Sequence, residues 1–278
     1  MERIPFGISR LDKQIGGGAP KGSLVLLVGE EGAGAREFLY TSATMNGLAH
    51  NDPDLFDLHY GSIGKEAALP ESVHYVSFTQ SETQLQNEIG LTIDDEIREA
   101  GLDPVSFVDL SPEYFRLSPV PREWYAGEHR AVTDIGKDAS RRDVIETFAD
   151  YLDANAPGNL VAVDSLSDLV ESNLSDMPWS DVVMLLKGLR RAVHDWDALV
   201  LMHVSREALT DTQLGDLMTA VDGTIQFEWE TGGNERVRTM YVRVFRGVLS
   251  QLEEEDIIRF ETEIHEAGFD ISNVRKIR

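Results

Sequence analysis

Leu24-Val25-Leu26-Leu27-Val28-Gly29-Glu30-Glu31-Gly32-Ala33-Gly34-Ala35-Arg36-Glu37-Phe38 decides how the rest of the chain is read. Five apolar residues run into a glycine-rich turn, and a helix-forming stretch follows. That is the layout of a phosphate-binding loop, in which backbone N–H groups and a helix N-terminus cradle a polyphosphate. The full pattern G-x-x-x-x-G-K-[ST] adds a lysine for the β- and γ-phosphates and a hydroxyl for Mg²⁺. Gly29 and Gly34 are in register with it, but Ala35 stands at the lysine position and Arg36 at the hydroxyl position. The frame is present without its two charged partners.

Upstream, residues 7–23 hold three consecutive glycines, Gly16-Gly17-Gly18, and a Pro20-Lys21-Gly22 turn. They predict a tight lead-in to a strand at 24–28 rather than a regular element. Downstream, a helix is predicted over about 35–48, carrying Phe38, Leu39 and Met45 inward. Residues 50–72 are polar, contain Pro53, Gly61, Gly64 and Pro70, and read as a surface excursion. Strands are predicted at 73–78, 105–110, 160–163 and 198–204. Helices are predicted at 81–88, 94–100, 141–155 and 179–196, the first opening on Ser81 with acid in its first turn. Residues 111–136 read as an irregular loop pinned to the body by buried rings of Tyr114, Phe115, Trp124 and Tyr125. Beyond 220 the pattern alternates, predicting antiparallel strands at 224–229, 238–245 and 257–263, the first two joined by Thr231-Gly232-Gly233-Asn234. Strand–helix alternation over the first two-thirds predicts an α/β fold with a mostly parallel sheet covered on both faces. The C-terminal strands extend that sheet, and residues 1–278 read as one domain.

The 278 residues can bury a substantial core. No apolar run approaches the roughly 18 residues of a membrane span, and the start of the chain lacks the basic-then-apolar layout of a signal peptide. A cytoplasmic protein is expected. Acidic residues number 49 against 25 basic ones, a formal charge of −24, and only six of the basic residues are lysine. Acid spread along the whole chain with arginine in place of lysine fits a high-salt cytoplasm of archaeal type. At about 1 M salt the Debye length falls to roughly 3 Å and self-repulsion is screened. Such a surface disfavours nucleic acid, whose binding rests on basic contacts. The chain has no cysteine, so thiolate chemistry and disulfides are excluded. No cluster of His, Asp and Glu has metal-ligand spacing.

Several stretches taken together resemble the KaiC-like branch of the RecA superfamily of P-loop ATPases. The lead-in Gly7-Ile8, Leu11-Asp12, Gly16-Gly17-Gly18, Pro20 and Gly22-Ser23 matches that family's signature. Tyr75-Val76-Ser77-Phe78-Thr79-Gln80-Ser81 falls where the family has its second strand and catalytic acid pair. Residues 160–163 with Asp164-Ser165-Leu166 resemble the Walker B strand and its Asp-Ser pair. Asp222-Gly223, Phe245-Arg246-Gly247 and residues 263–271 resemble the closing section. The resemblance implies a RecA-like three-layer sandwich. It also implies nucleotide-binding positions at Gly29, Gly32, Gly34, Arg36, Asp164 and Arg246.

The departures touch three separately encoded parts of the mechanism that the resemblance implies, while Asp164 and Arg246 are kept. The lysine and hydroxyl are Ala35 and Arg36, the acid pair is Thr79-Gln80, and the lysine of the Lys-x-Arg-Gly motif is Val244. Arg36 reads either as a substitute phosphate contact, starting about 100° further round the helix than the lysine, or as a partner of Glu37 or Asp168. Asp164 reads either as a water-mediated Mg²⁺ holder or as a cap for neighbouring backbone. His203 and Ser205 occupy a nucleotide-sensing position in this fold, and a core histidine is the plainer reading. Glu30 and Glu31 read as solvent-facing and do not help an anion bind. No catalytic residue is assigned, and Asp164 is the metal contact only where a Mg²⁺–nucleotide binds. The expectation is a pseudo-ATPase, weak for ATP and Mg²⁺ at most, that serves as a regulatory or assembly component. A protein partner, a competent paralogous ATPase or further copies of itself are its expected associates. The alternatives are a slow ATPase using Arg36 and a recombination accessory protein of the RadA-paralogue type.

Overall fold

Hydrophobic runs of period 2 and period 3.6 alternate along the chain, and the elements follow them. The computed structural model describes residues 2–116, 118–125, 142–173, 178–232, 235–254 and 256–276. The lead-in forms β1 (Arg3–Ile4), α1 (Ser9–Gln14) and β2 (Ala19–Pro20). The decisive stretch forms β3 (Ser23–Gly29) and α2 (Ala35–Asn51). Then come α3 (Pro53–His59), β4 (Val73–Ser77), α4 (Glu82–Ile89), α5 (Asp95–Leu102), β5 (Val105–Asp109) and α6 (Ser111–Phe115). The middle of the chain supplies α7 (Arg142–Asn155), β6 (Leu160–Asp164), α8 (Leu166–Asn173), α9 (Trp179–Asp195) and β7 (Leu199–Ser205). The last section is α10 (Asp211–Ala220), β8 (Gly223–Gly232), β9 (Glu235–Phe245), α11 (Leu249–Glu254), β10 (Ile257–His265) and β11 (Gly268–Lys276).

The main sheet has nine strands in the order β11-β10-β9-β8-β3-β7-β6-β4-β5, with β3 at its centre. Strands β8, β3, β7, β6, β4 and β5 are mutually parallel, and β9, β10 and β11 continue antiparallel. The alternation after residue 220 therefore hid one parallel strand, because β8 pairs parallel with β3 on one side and antiparallel with β9 on the other. Strand β3 is buried on both faces. Val25 and Leu27 join one core cluster with Phe38 and Leu39 of α2. Leu24, Leu26 and Val28 join the other, with Phe148 of α7, Leu169 of α8 and Leu186 of α9. The result is an α/β sandwich of three layers, as expected.

Two readings of the connecting segments are corrected. Residues 50–72 are not merely an excursion, since α3 opens there with Asp52 accepting from Leu55 N–H at 3.0 Å and Pro53 in its first turn. The aromatic stretch is pinned only in part, through Tyr114, which packs against the core cluster on the α7 side of the sheet. Tyr114 and Phe115 sit half-buried in and at the end of α6, Phe115 packs on Tyr125 at 5.7 Å, and Trp124 is 78% exposed. Residues 126–136 of that predicted loop lie outside the described residues. Helices α8, α10 and α11 were also not foreseen. The second carries a readable signal, because Thr210 and Gln213 form a capping box.

Candidate functional site

Parallel strands present their C-terminal ends on one edge, where Gly29 pairs with Ser205 of β7 and Ser77 of β4 pairs with Asp164 of β6. The glycine loop leaves β3 on this edge. Gly32 and Gly34 take φ of +70° and +110°, a region costly for other residues, and let the chain turn into α2. Gly29 is needed for closeness, since a Cβ there would come within 2.5 Å of the Ala35 methyl. Ala35 thus fills the loop's interior where the pattern calls for a cation. The first-turn amides of α2 still face outward from a helix that has no side-chain cap.

Side chains from the far strands lace the loop. Trp229 donates from Nε1 to the Glu31 carbonyl at 3.0 Å, and Arg238 donates from Nε to the Gly32 carbonyl at 2.9 Å. Glu30 does not simply face solvent, because its carboxylate accepts from Trp229 N–H at 3.0 Å. Glu31 is exposed, as expected, but its amide donates to the Glu207 carboxylate at 3.3 Å. An internal anion therefore already holds one loop amide. The concave mouth measures about 330 Å³, and its lining includes Gly29, Gly32, Gly34, Arg36 and His203. Four carboxylates, of Glu30, Glu31, Glu37 and Glu207, line it as well.

Arg36 pairs with neither Glu37 nor Asp168. Its Nε lies 3.4 Å from Asp164 Oδ2, a solvated guanidinium, 45% exposed, over a carboxylate that is 3% exposed. Tyr75 donates to the same oxygen at 3.2 Å. His203 Nδ1 stands 3.4 Å from Asp164 Oδ1, and neither atom has another hydrogen-bonding partner. Burial alone pushes the Asp164 carboxyl up, yet His203, Arg36 and Tyr75 outweigh it and hold the carboxyl below its usual value. Burial pulls the Arg36 guanidinium down, and Asp164 with the neighbouring Tyr40, Tyr75 and Glu88 more than restores it. Asp168 serves α8 instead, where its carboxylate accepts from Ser165 Oγ at 2.5 Å and from Ser165 N–H at 3.1 Å. Burial raises the Asp168 carboxyl despite those donors.

Gln80 follows β4 and donates to Glu88 Oε1 at 2.6 Å, while Tyr40 donates to Glu88 Oε2 at 2.9 Å. Glu88 and Tyr40 were not singled out from sequence. Glu88 lies eight residues beyond Gln80, and only the return of α4 brings it there. Arg246 does not join the other candidates. Its N–H donates to the Asp222 carbonyl, and Asp222 N–H donates to the Leu24 carbonyl. It therefore stands at the N-terminal end of β3, roughly 17 Å of strand from Gly29 at 3.3 Å per residue. Val244 is exposed on β9. The family-like lead-in is a brace. Asp12 is buried and accepts from Phe6 N–H at 2.9 Å, Gly7 N–H at 3.0 Å and the Tyr60 hydroxyl at 3.0 Å.

No family model matches this chain, and no curated protein matches it in sequence. Solved structures do. A KaiC-like protein of the hyperthermophilic archaeon Pyrococcus horikoshii superposes with a TM-score of 0.62 at 16% identity, covering 98% of this chain and 99% of that one. The flagellar accessory protein FlaH of Methanocaldococcus jannaschii superposes with a TM-score of 0.59 at 18% identity over the full length of both. At these identities the likeness establishes the RecA-like fold.

Proposed function

We propose that this chain is a single-domain P-loop protein with a degraded nucleotide site, acting as a non-hydrolysing regulatory or assembly component. The observation that carries this reading is the Arg36–Asp164 pair at 3.4 Å. The one arginine offered by the loop's helix leans on the acid that would otherwise serve Mg²⁺, and Ala35 supplies no replacement charge. The remaining chemistry of the mouth works against an anion, since four carboxylates line it and Glu207 already takes a loop amide.

Phosphoryl transfer depends on positioning and charge neutralisation. A lost transition-state contact of this kind costs about 3 kcal/mol. Lysine, hydroxyl and acid pair are all replaced here. Asp164 Oδ2 is engaged by Tyr75 and Arg36, and residues 29–36 of the loop carry no hydroxyl that could share a Mg²⁺ with it. These donors do not fit a magnesium–nucleotide complex. What remains is a rigid fold with surfaces for a protein partner, a competent ATPase or further copies of the chain. A cytoplasmic setting suits it, and among the described residues no helix is long and apolar enough to cross a membrane. The likeness to a flagellar accessory protein and a KaiC-like protein supports an accessory role.

The test is a titration with ATP, with and without Mg²⁺, in molar salt, followed by phosphate release. Affinity weaker than about 1 mM, the upper range of ordinary enzyme KM values, and no release above background are expected. Tight binding with turnover that Asp164→Asn abolishes overturns the reading. Glu88 supports a second reading, a slow ATPase using Arg36. Both of its oxygens are held beside Gln80, where a base would stand. Turnover lost in Glu88→Gln would favour it.

A further inference from the structure

The chain carries 49 acidic residues against 25 basic ones, so a region where cations dominate stands apart. One lies at the N-terminal end of β3, on the edge opposite the glycine loop. A concave pocket of about 550 Å³ is lined there by Lys21, Lys187, Arg190, Arg191, His194 and Arg246. Asp222 is the one carboxylate among its described lining residues. We propose that this pocket binds a small polyanion of the oligophosphate class. The inference does not rest on the reading of the loop.

Three elements build the site. Positions 187, 190, 191 and 194 of α9 follow i, i+3, i+4, i+7 spacing and share one helix face. Lys21 arrives on the turn between β2 and β3, and Arg246 on the turn between β9 and α11. Asp222 fixes one member of the group, Arg190. It accepts from Arg190 Nε at 2.7 Å and from Leu24 N–H at 3.2 Å, which holds Arg190 against the end of β3. Lys21 pairs with Glu2 at 2.5 Å. Lys187, Arg191 and Arg246 are exposed and form no ion pair with another described residue.

The pocket wall is partly bare backbone. Gly22 and Gly247 line it with φ of +74° and +76°, and with no side chain they allow close approach to the main chain. Behind Gly247, the buried Arg3 donates to its carbonyl at 2.8 Å and holds the turn in place. Cations converging on a hollow repel one another until an anion neutralises them. Guanidinium forks match phosphate oxygens two at a time. The volume lies within the range of roughly 300–1,000 Å³ usual for small-molecule sites. A nucleic acid or an acidic polypeptide calls instead for a basic stripe, and the cations here close around a concavity.

The test is isothermal titration of the full chain with pyrophosphate and tripolyphosphate, at the lowest salt that keeps its circular dichroism native. Saturable binding is expected, tighter for tripolyphosphate and weaker at fivefold higher salt. Lys187→Glu with Arg191→Glu should lower the affinity at least tenfold. Lys13→Glu with Lys65→Glu makes the same change in net charge at exposed lysines outside the pocket, and should lower it less than threefold. Arg246→Gln, on a different element, should lower it about threefold to tenfold and serves if the α9 variant fails to fold. No saturable binding, or equal losses from the two double variants, overturns the site. Tighter binding of single-stranded DNA or polyglutamate through the same α9 residues overturns the small-ligand assignment.

Discussion

At the C-terminal end of β3, four carboxylates line a glycine loop whose one guanidinium leans on a buried aspartate. At the N-terminal end of the same strand, cations from three elements surround a hollow that contains a single described carboxylate. The first mouth has the backbone of an anion site without the side chains. The second has the side chains without a helix N-terminus. It lies instead along α9 toward that helix's C-terminal end, where the macrodipole favours cations such as Arg190 and Arg191. Backbone frame and local charge are thus set separately. Glycine conformations preserve the first, and the second depends on which distant side chains the fold delivers.

If the two mouths are independent, damage behind the loop should leave the basic pocket working. Phe38 packs edge-on to Phe6, Phe227 and Phe269 with centroids 5.4–5.5 Å away, directly behind the loop's helix start. Phe38→Ala should lower stability by about 3–5 kcal/mol in denaturant unfolding. Tripolyphosphate affinity, measured where the variant is still folded, should change less than twofold.

The next largest effect concerns the Asp12 brace, whose partners Phe6, Gly7 and Tyr60 line neither mouth. Burial pushes the Asp12 carboxyl up to about 7, against its hydrogen bonds from Phe6, Tyr60 and Gly7, from 3.8 in the unfolded chain. A carboxyl raised by folding leaves stability intact below pH 4. That stability is then lost as pH rises through about 7, and the loss is complete above it. About 1.4 kcal/mol per unit over about three units predicts a fall of about 4 kcal/mol between pH 4 and pH 8. In Asp12→Asn that part of the pH dependence should vanish. The variant should carry a constant cost instead, because its amide must meet a backbone N–H. A wild-type-minus-variant difference that is flat with pH would refute the shift.

Arg36→Gln asks how firmly the loop mouth is closed. Removing one partner of a fully buried pair costs about 3–5 kcal/mol. The 45% exposure of Arg36 screens this one by solvent, so a loss of about 1–2 kcal/mol at pH 7 is expected. The Asp164 carboxyl should move up in the same variant, readable by NMR titration. Ala35→Lys with Arg36→Thr restores the missing pair of loop residues and should tighten Mg²⁺–ATP at least tenfold, about 1.4 kcal/mol. No gain would mean that the rim carboxylates, rather than the missing lysine, decide the mouth's character.

The parallel core was legible because β3, β4 and β6 are apolar runs that follow glycine or proline punctuation, and β7 is an apolar run between polar flanks. The loop frame was legible because glycines at 29, 32 and 34 have few other uses in that pattern. The α3 helix was missed although Asp52-Pro53 is a start signal, since the glycines and prolines around it outweighed a seven-residue element. Strand β8 was read as antiparallel because alternation reports on faces and not on direction. The acid that holds Arg36 was misassigned to Glu37 or Asp168, because sequence proximity to the helix is a poor guide to what a long side chain reaches.

The sequence by itself determined the layering, the main alternation of strand and helix, and which residue types stand at each position of the glycine loop. Those properties are local, depending on residue type and spacing within a dozen positions. Only the tertiary structure decided that Arg36 would face Asp164, that Glu207 and Trp229 would bind the loop from outside, and that five lysines and arginines would meet at the far end of β3. Those contacts join residues up to about two hundred positions apart, and their geometry depends on strand order and helix direction, which no local pattern encodes.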